Sequence, residues 1–116
     1  LASFYGGFIE EYMMRLFLMT GIVWIISLFR RASGVQPVWS YIIGIAVTGL
    51  VFGIGHLGAA FAVYEPSTFV VVRILLLNLI PGIVFGSLYW RNGLASAVIS
   101  HFTTDIVLHV ILPLFI

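Results

Sequence analysis

The stretch Ile9-Glu10-Glu11-Tyr12-Met13-Met14-Arg15 constrains this chain more than any other. It sets two carboxylates and a guanidinium in a run that is otherwise aromatic and aliphatic from Phe8 to Phe29. One such charge near the bilayer centre costs an isolated helix roughly 2.5 to 3.5 kcal/mol, so three together require partners inside the protein. The rest of the chain supplies few. His56, His101 and Asp105 are the main candidates.

The requirement for a membrane comes from composition. Of 116 residues, 62% are hydrophobic and 8% charged, with a mean hydropathy of +1.21. A soluble domain of this size would lack the polar surface to cover itself. The reading is an all-α, polytopic transmembrane bundle, a single domain over residues 1–116 that is expected to be part of a longer chain. The absence of Cys removes disulfides and thiolate chemistry. A net charge of +1, with no Lys and no basic run, leaves no electrostatic footprint for nucleic acid. Membrane lipid is the expected surrounding and a multi-pass plasma membrane location, most simply bacterial, the expected site.

Four apolar segments are legible, over residues 4–29, 38–63, 68–90 and 94–116. Each is roughly 23 to 26 residues, enough to cross the hydrocarbon with some tilt. Arg30-Arg31, the loop Ala32-Ser33-Gly34-Val35-Gln36-Pro37, Tyr64-Glu65-Pro66-Ser67 and Arg91-Asn92-Gly93 separate them. Arg30, Arg31 and Arg91 fall on one side, so the positive-inside rule places residues 30–37 and 91–93 in the cytoplasm, although Arg73 near the other end of the third segment votes against it. Trp39, Tyr64, Tyr89 and Trp90 sit at segment ends, as interfacial rings do. Gly49, Gly53, Gly55 and Ala60 thin the second segment around His56. Asn78, Gly82 and Gly86 form a small-residue stripe on the third, which most simply serves helix packing. Pro81 is expected to interrupt that segment and to free the carbonyl of Leu77, which Asn78 or a neighbouring helix can satisfy.

The polar residues divide by spacing. Glu11 and Arg15 are four apart and can pair along one face, whereas Glu10 is turned about 100° away. One carboxylate is thereby satisfied and the other needs a partner. Ala97, His101, Asp105 and His109 make one stripe on the fourth segment, and His56 lies one turn beyond Phe52 on the second. At 1.5 Å per residue, Glu10 and His56 lie roughly 10 Å from the outer side, Asp105 about 14 Å and His101 about 20 Å. Glu10, His56, His101 and Asp105 therefore share one slab. Helix-to-helix bridging accounts for His109, Arg73 and Asn78 well enough. It accounts poorly for a carboxylate and two imidazoles at a common depth. The same four donors, His56, His101, Glu10 and Asp105, are types that bind zinc. The His-Glu-x-x-His helix of zinc peptidases is absent, and the reading favours no resident metal.

Three motifs in order, Glu10-Glu11-x-x-x-Arg15, Phe52-x-x-x-His56 and His101-x-x-x-Asp105, resemble those of the CPBP family of intramembrane proteases. This is the CAAX prenyl endopeptidase and bacteriocin-processing group, also called the Abi family. The approach Gly82-x-x-x-Gly86-Ser87-Leu88-Tyr89-Trp90-Arg91-Asn92-Gly93 is similar too, and the resemblance spans residues 4–109. It implies that the four segments form the catalytic core of an endopeptidase acting on a membrane-associated or prenylated protein or peptide. It also implies roles: Glu10 as general base for water, His56 as holder of that water, His101 with Asp105 at the oxyanion, and Glu11 with Arg15 as structural support. Relatives carry Asn or Asp at position 105. An ionised Asp105 cannot donate to an oxyanion, so it must be protonated, orient His101 or bind a cation.

The chemistry agrees. Peptide hydrolysis needs a base near the working pH, and an apolar setting moves a carboxylate toward it. The rival readings are a piece of an ion- or proton-coupled transporter and a non-enzymatic membrane scaffold or immunity protein. Inverted repeats would favour the transporter, and none is visible.

Overall fold

A computed structural model describes residues 4–30 and 34–116. Arg31, Ala32 and Ser33 of the first loop lie outside the described residues, and with them part of the positive-inside argument. Four helices long and apolar enough to span a membrane follow one another: α1 (Tyr5–Arg30), α2 (Val38–Phe61), α3 (Thr68–Asn92) and α4 (Leu94–Leu114). The observed bounds lie within about two residues of the expected ones at most ends, because breakers mark nearly every boundary. Pro37 leads into α2. Ser67 caps α3 by accepting from the Val70 N–H at 3.2 Å. Gly93 joins α3 to α4 at φ +91°, a left-handed conformation that favours glycine, and its N–H closes on the Tyr89 carbonyl at 3.0 Å.

The helices pack in a ring, α2 on α3, α3 on α4, and α4 on the first turns of α1, whose later turns return to α2. Small residues set these approaches. A Cβ on Gly82 would lie 3.2 Å from the Gly49 Cα, and one on Gly7 would lie 2.9 Å from the Phe102 Cβ. Gly53 seats Leu75, while Gly55 and Gly58 face open space. Gly49 and Gly53 thus serve the α2–α3 contact rather than a thinned wall at His56.

A polar cluster is enclosed in the bundle beside Met19, Ile45, Phe52 and Phe85, and large apolar side chains cover the exterior. Arg15, Glu11, Thr48 and Ser40 are fully buried, whereas Phe17, Phe29 and Trp24 are 82%, 86% and 61% exposed. In hydrocarbon this is the stable distribution, since polar groups must be satisfied within the bundle and apolar ones can face lipid. At the Arg30 and Arg91 end, Tyr41 stacks on Trp90 at 5.1 Å, and the two guanidiniums lie over Trp39 and Trp90. This is the aromatic layer expected at an interface. Arg73 is exposed on the first turns of α3 rather than bridging helices. Its long stem lets the charge reach the headgroups.

Two local features depart from expectation. Helix α3 runs through Pro81 unbroken. The Asn78 amide donates to the Ile74 carbonyl at 2.9 Å and does not take up the carbonyl of Leu77 that Pro81 frees. Helix α1 is wound wider than an α-helix over Tyr5–Glu10 and Tyr12–Met19, with α geometry restored from Thr20. Thr20 N–H accordingly reaches the carbonyl of Arg15, five residues back.

Candidate active site

The fully buried Arg15 organises the floor of the bundle. Its Nε donates to Glu11 at 3.0 Å, one Nη to Thr48 Oγ1 at 2.9 Å, and the other to the Gly82 carbonyl at 2.9 Å. Thr48 passes the chain on to the Gly44 carbonyl at 2.8 Å. The guanidinium lies against the glycine face of α3, where Cβ atoms on Gly82 and Gly86 would reach 3.8 and 3.5 Å from its nitrogens, ordinary contact distances. The close approaches at these glycines are to α2, 3.2 Å to Gly49 and 3.3 Å to Ile45. Three helices are tied by one side chain.

Glu11 has a second partner that its spacing to Arg15 does not reveal. Its other oxygen lies 2.7 Å from Nδ1 of His101, across the bundle on α4. His101 is 4% exposed. Glu10 approaches the same imidazole from the opposite edge, with Oε2 3.6 Å from Nε2. The expectation that Glu10 and Glu11 point to different partners is thus corrected in part. A wide-wound helix turns less per residue than an α-helix, so adjacent side chains diverge less, and one imidazole spans both.

His56 stands at a break in α2, between Val38–Gly55 and Leu57–Phe61. Its backbone N–H turns back to Gly53 at 3.2 Å, and its ring Nδ1 bonds the Phe52 carbonyl at 2.7 Å. A carbonyl only accepts, so Nδ1 carries a hydrogen, and in the neutral ring it is Nε2 that presents a lone pair. That Nε2 faces Glu10 Oε1 at 4.0 Å, too far for a direct hydrogen bond and within the span of one bridging water.

These groups line a cavity of about 370 Å³ that also takes in Tyr5, Gly6, Asn78, Pro81, Phe85, Thr104, Asp105 and His109. Glu10, His56, His101 and Asp105 are all brought to it. Asp105 Oδ2 lies 3.8 Å from His101 Nε2. His109 is exposed at the cavity's edge and stands apart from the charged cluster.

Sequence reasoning overlooked two contributors. Phe85 stacks on the His101 ring at 4.5 Å and 17°, while Phe52 meets it at 5.5 Å and 78°. A lone Phe in an apolar helix carries no signal of such a role. Gly6 lies opposite: a Cβ there would come 2.5 Å from Asp105 Oδ2 and 3.1 Å from His101 Nε2. Its place one turn before Glu10 was the available hint.

The donor types suit zinc, but among the described residues no three His, Asp or Glu side chains gather as a ligand set. The bundle is that of a multi-pass membrane protein with a cavity lined by Glu10, His56, His101 and Asp105. The model of the family described as type II CAAX prenyl endopeptidase Rce1-like matches residues 1–107, and the chain belongs to that family. It is a membrane-embedded protease of the CAAX type, and the match contains every residue of the cluster from Glu10 to Asp105. No curated protein and no solved structure matches the chain.

Proposed function

We propose that the protein hydrolyses a peptide bond of a membrane-associated or prenylated protein, with water activated by Glu10 and without a resident metal. The observation that carries this reading is the Glu10 carboxylate flanked by two imidazoles, His56 at 4.0 Å and His101 at 3.6 Å, on the wall of one cavity.

Glu10 takes one proton from a water whose other hydrogen points to His56 Nε2. The water oxygen bonds to the scissile carbonyl carbon, and the carbonyl's π pair moves onto its oxygen. Collapse of this intermediate breaks the C–N bond, and the proton held by Glu10 passes to the leaving amine. The groups on α4 face the developing oxyanion, where prearranged donors stabilise charge most. Asp105 stands beside His101 and helps to shape that end of the cavity.

The test is cleavage of a prenylated CAAX peptide by purified protein in lipid, with metal content measured alongside. Turnover is expected without stoichiometric zinc and is expected to survive chelation. Zinc near one per chain, whose removal and return track the rate, would overturn the metal-free mechanism.

A second test probes the cavity wall. Gly6→Ala is expected to lower turnover roughly 10- to 100-fold by displacing Asp105 and His101. Gly21→Ala, where an added Cβ meets nothing within 4 Å, is the control and should retain wild-type rates. Equal rates for the two variants would show that the space beside Gly6 is not used.

A further inference from the structure

We propose that Asn78 and the Leu77 carbonyl form a pair of hydrogen-bond acceptors on the α3 wall of the cavity, which receive backbone N–H groups of an extended substrate chain beside the scissile bond. The proposal rests on the hydrolase reading above and deepens it, because it says how the substrate is held.

The wall that α3 contributes differs from the rest. Titratable side chains reach the cavity from α1, α2 and α4, whereas α3 brings Leu77, Asn78, Pro81 and Phe85. Asn78 is the polar one. Its Nδ2 donates to the Ile74 carbonyl at 2.9 Å. A carbonyl only accepts, so this bond fixes which end of the amide is nitrogen and leaves Oδ1 as an acceptor with no partner among the described residues. The side chain is half-buried and Oδ1 is not enclosed, so a donor in the cavity can reach it.

The second acceptor belongs to the backbone. Pro81 has no N–H, so the Leu77 carbonyl lacks the donor that a helix supplies four residues on, although α3 continues through the proline. That carbonyl points along the helix toward Pro81, which stands in the cavity wall. The Asn78 amide bends the other way, back to Ile74, so the two oxygens are displaced along α3. In an extended chain the N–H groups of alternate residues share an edge, about 6.6 Å apart. A cavity of about 370 Å³ is roughly 9 Å across, room for two or three residues at about 3.3 Å each. A peptide unwound for cleavage within a bilayer carries N–H groups that hydrocarbon cannot satisfy, and the oxygens of α3 match them. Glu10 and His56 reach the same cavity from α1 and α2, which sets the held chain beside them.

The test is binding in the Glu10→Gln background, where the peptide is not consumed. The probes are a prenylated CAAX peptide and a set of depsipeptides in which each amide near the cleavage site is replaced in turn by an ester, which lacks the N–H. Two esters, two residues apart, are expected to bind about 3- to 10-fold more weakly than the parent. Asn78→Leu should weaken the parent by a similar factor and remove the penalty of one ester. Pro81→Ala returns an N–H to the Leu77 carbonyl and should remove the penalty of the other, while Tm rises or stays level. A proline with a merely structural role would not weaken binding when its helix is repaired. Esters that all bind like the parent, a penalty that persists in its matching variant, or no binding of the parent would each overturn the proposal. Failure of the Glu10 assignment appears instead as cleavage by Glu10→Gln, and the same comparison is then read from KM.

Discussion

Glu10→Gln is expected to yield a folded, membrane-inserted protein that still binds substrate but turns over at least about 100-fold more slowly, the usual cost of losing a general base. The substitution keeps the shape of the side chain and its capacity for hydrogen bonding. It removes the basic oxygen that faces His56 and His101. Folding should be spared because Glu10 is only partly buried and has no part in the Arg15 network. His56→Ala and His101→Ala should join it in lost turnover, while His109→Ala, at the cavity's edge, should keep most activity. The measurement is single-turnover cleavage of one substrate by these four variants and by Glu11→Gln. Normal cleavage by Glu10→Gln alongside a well-folded but dead Glu11→Gln would reverse the two glutamates' roles. Unchanged rates throughout would end the proposed mechanism.

Arg15→Ala should be the most destabilising single change in the bundle. It leaves Glu11 fully buried without its cation and unties Thr48 of α2 and the Gly82 carbonyl of α3 at once. Breaking a buried pair by removing one partner costs about 3 to 5 kcal/mol, chiefly from the stranded charge. A marked fall in Tm in detergent and in the yield of folded protein is expected. Glu11→Gln/Arg15→Met should recover much of the loss, because it strands nothing. A wild-type Tm for Arg15→Ala would show that lipid or water satisfies Glu11 and that the network is dispensable.

The two predictions separate what one helix places side by side. Glu10 borders the cavity and its loss is read in rate. Arg15 is enclosed and its loss is read in stability. Glu11 belongs to both sets, through Nε of Arg15 on one oxygen and Nδ1 of His101 on the other. A variant at Glu11 alone would mix the two effects, which is why the paired substitution is the informative one.

Much of this was legible from residue order because membrane helices advertise themselves. Apolar runs bounded by Arg30, Pro37, Ser67 and Gly93 marked four spans, and the Glu11–Arg15 spacing foretold an ion pair that forms at 3.0 Å. The burden of charge in an apolar chain pointed to His56, His101 and Asp105 before any geometry was known, since hydrocarbon offers those groups no other partners. Local periodicity states which residues share a face of one helix. It does not state how that helix is rotated against the next, or where its winding loosens. Only the packed bundle could decide that Glu10 and Glu11 approach opposite nitrogens of one imidazole, that Phe85 lies flat on that ring, that Gly6 leaves room for Asp105, and that Asn78 turns back to its own helix. Each depends on contacts between residues far apart in the chain, and these are settled by close approach at glycines and by the need to satisfy every buried polar group.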